Sequence, residues 1–151
     1  MGALVHALAE YSADFRIFPA ASSDNLIMDC LKSGDKPVKD VKGMWKVNLI
    51  PCRWGKDAFT DLITNDKVYI AILPRDPDYQ KGATYLYFSD GDRYQIYAAM
   101  EGMDEAEIDQ KIIDRNLKCG SRVCNVGRSY NVPTDVSIDD YVKMLLLNVK
   151  K

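Results

Sequence analysis

The chain has little histidine and no excess of either charge. It carries one histidine, His6, in 151 residues, and 20 basic residues stand against 22 acidic ones for a net charge of -2. That balance argues against a dedicated nucleic-acid binder, which carries a basic excess or stripe. No stretch approaches the roughly 18 consecutive apolar residues of a membrane span, and no basic-then-apolar leader opens the sequence. P-loop, G-x-S-x-G, H-E-x-x-H and dinucleotide-binding glycine patterns are missing. His6 has no nucleophile near it in sequence and reads as an ordinary helix residue. There is no internal repeat and no low-complexity run. What remains is 47% hydrophobic and 28% charged, the balance of an ordinary globular protein. Residues 1–151 read as a single domain, long enough to bury a core without metal staples.

The four cysteines, Cys30, Cys52, Cys119 and Cys124, lack the paired C-x2-C spacing of a zinc site. Four cysteines permit three connectivities. The pairing expected is Cys119 with Cys124, across a turn eased by Gly120, and Cys30 with Cys52. On the loop-entropy model the short ring would stabilise by about 2 kcal/mol and the longer one by about 3 kcal/mol. Disulfides would place the domain in an oxidising compartment; the alternative is buried free thiols in the cytosol.

Leu4, Leu8, Tyr11 and Phe15 recur at helical spacing, which predicts a helix over Ala3–Phe15, stopped by Pro19. Its start has no Ser, Thr, Asp or Asn to accept the first amide protons. Met1 and Gly2 therefore read as appended residues, and the helix as one whose first half has been removed. A second helix is expected from a Ser22 or Ser23 cap through Leu26, Ile27, Cys30 and Leu31 to Gly34. Asp35–Lys42 reads as a surface loop and Met44–Ile50 as a strand. Asp57–Asn65 reads as a helical turn or two. Val68–Leu73 is an apolar run closed by Pro74-Arg75-Asp76-Pro77.

The clearest element is a hairpin of Tyr85–Phe88 and Arg93–Ala98 around Ser89-Asp90-Gly91-Asp92. A two-residue Asp-Gly turn puts Tyr85 and Tyr87 beside Tyr94 and Ile96. A three-residue Ser-Asp-Gly loop instead gathers Leu86 and Phe88 with Tyr94, Ile96 and Ala98. The second register collects the apolar side chains on one face and is the one expected. It leaves Tyr85, Tyr87, Gln95 and Tyr97 on a half-exposed face. A polar helix is expected after Gly102, with Asp104 and Glu107 at capping-box spacing. Asn125–Asp135 reads as loop. Ser137 is placed to cap a last helix that opens on Asp139 and Asp140 and ends on Lys150 and Lys151.

Acidic loops can hold calcium, and Asp90 and Asp92 are the weak candidates. No full D-x-D-x-D-G loop surrounds them, and both are explained as turn residues. No other cofactor is implied. Trp45 and Trp54 read first as packing residues.

The order of these elements resembles type IV pilins and type II secretion pseudopilins. Ala3-Leu4-Val5-His6-Ala7-Leu8-Ala9-Glu10-Tyr11-Ser12-Ala13-Asp14-Phe15-Arg16-Ile17-Phe18-Pro19 is similar to the end of their long first helix. Leu73-Pro74-Arg75-Asp76-Pro77 is similar to the turn ahead of their sheet. The run from Tyr85 to Glu101 is similar to their Y-x-Y-x-S-D-G hairpin, and Cys119-Gly120 with Cys124-Asn125-Val126-Gly127 to a short cysteine loop. The resemblance implies an α+β fold: an N-terminal helix, of which residues 3–18 are the second half, packed across an antiparallel sheet. Extra short helices and a C-terminal extension over residues 125–151 would complete it. It implies a non-enzymatic structural subunit of a cell-surface filament, anchored in the bacterial inner membrane before assembly. Other pilin subunits would be its partners, touching through Tyr85, Tyr87 and Tyr97 and the loop around Trp54. The alternatives are a minor pilin that adheres to a surface receptor or takes up DNA, and a calcium-binding pseudopilin.

Overall fold

The computed structural model describes residues 1–64, 66–102 and 105–149. Their contacts divide into two compact units, Met1–Pro74 and Arg75–Lys151.

The first unit opens with α1 (Gly2–Phe15). Leu4, Ala7, Leu8 and Tyr11 form its buried stripe, the three-and-four spacing of one helical face. No side chain caps it; the Met1 carbonyl takes the Leu4 and Val5 amides instead. Arg16, at φ 63, turns left-handed and ends the helix by donating its N–H to Ser12 O. Strands β1 (Ala20–Ala21), β2 (Ile27–Leu31) and β5 (Leu49–Pro51) form one antiparallel sheet in the order β1-β2-β5. Between β2 and β5, β3 (Val38–Lys39) and β4 (Trp45–Lys46) pair as a small hairpin. After β5, β6 (Phe59–Thr60) and β7 (Val68–Ile70) pair as another, and α1 lies against β7.

Two expected helices are strands here. Ser22 does accept the Leu26 N–H, at 3.1 Å, but it closes the β1–β2 turn, with Asn25 left-handed at φ 58. Cys30 is then tied to Cys52 at a Cα separation of 5.2 Å, a cross-link that favours strand pairing over the local helical pattern. In Asp57–Asn65, Asp61 spends its carboxylate on the Ile63 and Thr64 amides and the Thr64 hydroxyl. That bonding makes a turn between β6 and β7. Asn65 lies outside the described residues.

The second unit is built on β8 (Leu86–Ser89), β9 (Tyr94–Ala98) and β12 (Val126–Tyr130), in the order β12-β9-β8. Every residue of β9 is buried, as the centre of a sheet covered on both faces. One face carries a cluster of Leu86, Tyr97, Ala99, Ile112, Cys119 and Cys124. Ile112 comes from α2 (Gln110–Asp114). The cysteines come from β10 (Lys118–Cys119) and the segment after β11 (Arg122–Val123). Their disulfide spans 5.1 Å between Cα atoms. Gly120, at φ 69, is required in that turn, because a Cβ there would overlap the Gly82 carbonyl oxygen. The chain ends on α3 (Ile138–Val149), capped as expected by Ser137, whose Oγ accepts the Asp140 N–H at 3.1 Å.

Three expectations in this unit need correction. The hairpin pairs Tyr87 with Ile96 and Ser89 with Tyr94. Tyr85 and Tyr87 therefore share a face with Tyr94 and Ile96, not with Tyr97. Gly91, at φ 94, sits first in a Gly91-Asp92 turn, and primed hairpin turns demand positive φ at that position. Asn125–Asp135 is not all loop, since β12 pairs with β9 over five residues. Finally, α2 takes its cap from Asp109, which accepts the Lys111 N–H at 2.9 Å; the expected cap, Asp104, lies outside the described residues, as do Lys150 and Lys151.

The pilin-like architecture is overturned with them. The chain is mostly β, in several small antiparallel sheets with three short helices among the described residues. One long helix across one sheet is not its plan. Too many of its apolar runs are short and interrupted by turn residues to feed a single large sheet.

Candidate functional site

The first unit holds a cavity of about 170 Å³ lined by Tyr11, Phe15, Asp29, Val47, Leu49, Leu62 and Ile63. Helix α1 supplies the two rings, one turn apart. Their centroids lie 4.6 Å apart, and Tyr11 stacks on Phe59 at 5.1 Å. The aliphatic wall comes from β5, the residue two before it and the turn after β6. Asp29 comes from β2, at an irregular point. Met28 faces Pro51 and Cys30 faces Ile50, so Asp29 is the extra residue of a β-bulge. Bulges re-aim a side chain and recur beside binding sites.

Asp29 is only 5% exposed. One carboxylate oxygen, Oδ1, accepts a long hydrogen bond of 3.4 Å from the Tyr11 hydroxyl. The other, Oδ2, is buried and has no hydrogen-bond partner. Burial lifts the Asp29 carboxyl to about 7; the hydrogen bond from the Tyr11 hydroxyl opposes this and the Asp61 carboxylate adds to it. Burial and the Asp29 charge push the Tyr11 phenol well up. Next to this pair Asp14 is hydrogen-bonded through one oxygen. Its Oδ2 accepts from Lys67 Nζ and Tyr69 Oη, both at 2.8 Å. Those bonds hold its carboxyl below the usual carboxylate range. The neighbourhood thus combines apolar walls, a paired acid and one buried acceptor with nothing to accept. Native proteins leave few such atoms, and each asks for a reason.

The sequence-derived candidates fall elsewhere. Cys30–Cys52 and Cys119–Cys124 are both disulfides, buried in the two units. Tyr85, Tyr87 and Tyr97 do not form a half-exposed contact face. All three are buried, Tyr87 and Tyr97 at 0% exposure; Tyr97 lies on the central strand β9, and Tyr87 on β8 beside it. Tyr97 donates to the Thr134 carbonyl at 2.8 Å and accepts from Arg115; burial pushes its phenol up to about 12 against the opposing pull of that guanidinium. Trp54 is half-buried beside Cys52. Asp90 is consumed by its turn: Oδ1 accepts the Asp92 and Arg93 amides, and Oδ2 pairs with Arg93 at 2.9 Å. Among the described residues no group of three or more His, Cys, Asp or Glu gathers to hold a metal ion. His6 lies on the exposed side of α1, 3.8 Å from Glu10.

The second unit carries a surface charge network. Asp78 and Glu101 each pair with both Lys81 and Arg122, at 2.8–3.1 Å. Those bonds, led by Arg122, draw the Glu101 carboxyl down to about 2. The network links the short 3-10 turn Tyr79–Lys81 to β11; every charge in it is matched. Among the described residues no helix is long and apolar enough to cross a membrane.

Comparisons with protein-family models, with curated proteins and with solved structures return no match for this chain. The site therefore rests on its own geometry. Sequence reasoning missed Asp29 because it treated that stretch as a helix. The signal available was a lone acid inside Leu26-Ile27-Met28-Asp29-Cys30-Leu31, where a solvated carboxylate has no place.

Proposed function

We propose that this chain works by association rather than turnover, as a subunit of an assembly outside the reducing cytoplasm. The observation that carries the reading is α3. Met144, Leu145, Leu146 and Leu147 are consecutive and exposed, with Leu146 at 60% and Leu147 at 66%. Four consecutive residues make about one full turn, so the apolar surface of this part of α3 runs round the helix. Exposed apolar surface of this kind marks an interaction site. The two disulfides support an oxidising location. The motif order described above supplies the finer form: a type IV pilus-like filament of copies at the cell surface, built from a membrane-anchored precursor. That form rests on the motifs alone.

The test uses the full gene product in its native cell. It should appear in sheared surface material or the extracytoplasmic fraction, in large assemblies, with its cysteines blocked to alkylation until reduced. Leu146→Glu with Leu147→Glu should leave the disulfides intact and the protein dispersed. A cytosolic, monodisperse protein with four free thiols would overturn the reading. Unchanged assembly in the double variant would remove α3 from it.

A further inference from the structure

The cavity beside Asp29 plays no part in that reading. Its lining residues carry no Lys or Arg, so nothing there attracts an anion. The buried Oδ2 of Asp29 offers an acceptor that the protein leaves unsatisfied, and such an acceptor gains most from a charged donor. Asp61 adds charge of the same sign close by. The Tyr11 and Phe15 rings add faces that attract cations, and Val47, Leu49, Leu62 and Ile63 add apolar wall. A cavity of about 170 Å³ is small; an apolar cavity of about 150 Å³ accommodates a benzene ring in another protein. The bulge that places Asp29 is also where strands turn a side chain toward a site.

We propose that this cavity binds a primary ammonium group on a short apolar stem, with the Asp29 carboxylate accepting from the ammonium and the aliphatic wall taking the stem. A free alkylamine and the side chain of a partner's lysine present the same chemistry. The proposal is independent of assembly through α3.

The experiment is an amide-resonance titration of the whole chain with n-butylamine, with 1-butanol as the neutral isostere, and with Nα-acetyl-lysine N-methylamide. At pH 8, butylamine or the lysine amide should give saturable shifts at Leu49, Leu62 and Asp29. Butanol should bind at least tenfold more weakly. Lowering the pH to 5 should weaken the amine at least tenfold, because a proton then competes for the same carboxylate. Asp29→Asn should lose at least tenfold in amine affinity while its spectrum stays folded. Leu62→Trp, which fills the cavity and leaves Asp29 in place, should abolish the shifts. Tighter binding of the lysine amide would assign the site to a protein partner, and tighter binding of butylamine to a free amine. Equal binding of butanol, unchanged affinity in Asp29→Asn, or no saturable shift with either amine would overturn the proposal.

Discussion

The two units treat a buried polar side chain in opposite ways. In residues 75–151, Gln95 is 1% exposed, yet its Nε2 donates to the Pro133 and Val136 carbonyls at 2.5 and 2.7 Å. Tyr97 and Arg115 meet the Thr134 carbonyl between those two. A loop with little regular structure is thereby fastened to the central strand. Among the described residues there, the buried side-chain atom without a partner is Nε of Arg93, at a turn where Nη1 is already tied to Asp90. In residues 1–74, Asp29 is also buried but keeps one oxygen unused in a side chain that lines a cavity. Satisfied burial fixes a structure; unsatisfied burial costs stability and is kept where a site needs it.

The largest effect that would break this contrast is expected at Asp29. Its ordinary value is 3.8 and its folded value about 7. Below pH 4 the folded and unfolded chains both hold the proton. Between about 4 and about 7 only the folded chain does, so this group's contribution to stability falls as pH rises. Above about 7 both have lost it and the deficit is constant. The Tyr11 hydroxyl and the Asp61 carboxylate are the groups facing it. At about 1.4 kcal/mol per unit, the deficit is about 4 kcal/mol at most. Urea unfolding of Asp29→Asn should show a gain at pH 8, little change at pH 4, and a flattened profile between. A native profile already flat from pH 4.5 to 7.5 would refute the burial argument.

Cross-linking is the next contrast. Cys30 and Cys52 are 22 residues apart and Cys119 and Cys124 are 5 apart. Replacing the first pair by alanine should cost about 3 kcal/mol and the second about 2 kcal/mol, since a longer loop loses more entropy on closure. Equilibrium unfolding of the two double variants compares them directly. A larger loss from the short ring would show that its place in the Leu86–Tyr97–Ile112 cluster outweighs loop length.

Gln95→Leu tests the satisfied side of the comparison. It keeps the volume but leaves the Pro133 and Val136 carbonyls without their donor, a loss of about 2 kcal/mol. Amide exchange should quicken first in residues 131–137. If the variant is as stable as the native chain, water or relaxation of the loop has replaced the amide.

Legibility in the sequence followed how local each signal is. Helix α1 was readable because its stripe repeats within a few turns. The Ser137 cap was readable because its bonds span a few residues, and so was the existence of the hairpin; its register was not, because the Gly91-Asp92 turn differs from the Ser-Asp-Gly loop by one position. The β2 strand was not, since Leu26, Ile27, Cys30 and Leu31 fit a helical face as well as a strand. Only pairing with β5, far along the chain, decides between them. The β12 strand hid behind Gly127 and polar residues, although Gly127 is small because Tyr97 lies against it. The tyrosines of the hairpin misled for a related reason. Alternation shows that a strand has two faces, but not that both are covered. Asp29 could not be placed at all without the bulge, which no local rule announces.

The smallest effect sharpens a contrast between the helices. Helix α1 has no side-chain cap and buries Leu4, Ala7, Leu8 and Tyr11, so packing holds it. Helix α3 buries Ile138 but leaves Met144 to Leu147 exposed, so its first turn depends on local bonding. There Ser137 Oγ accepts the Asp140 N–H and donates to the Asp140 carboxylate at 2.7 Å. That bond holds the Asp140 carboxyl below the usual range. Ser137→Ala should cost about 1 kcal/mol, and the loss should be local. Amide exchange should speed through α3 while the α1 amides keep their protection, and the Asp140 carboxyl should titrate at a higher pH than in the native chain. If α3 keeps its protection without the hydroxyl, packing rather than the cap secures its start. The difference drawn between the two helices would then disappear.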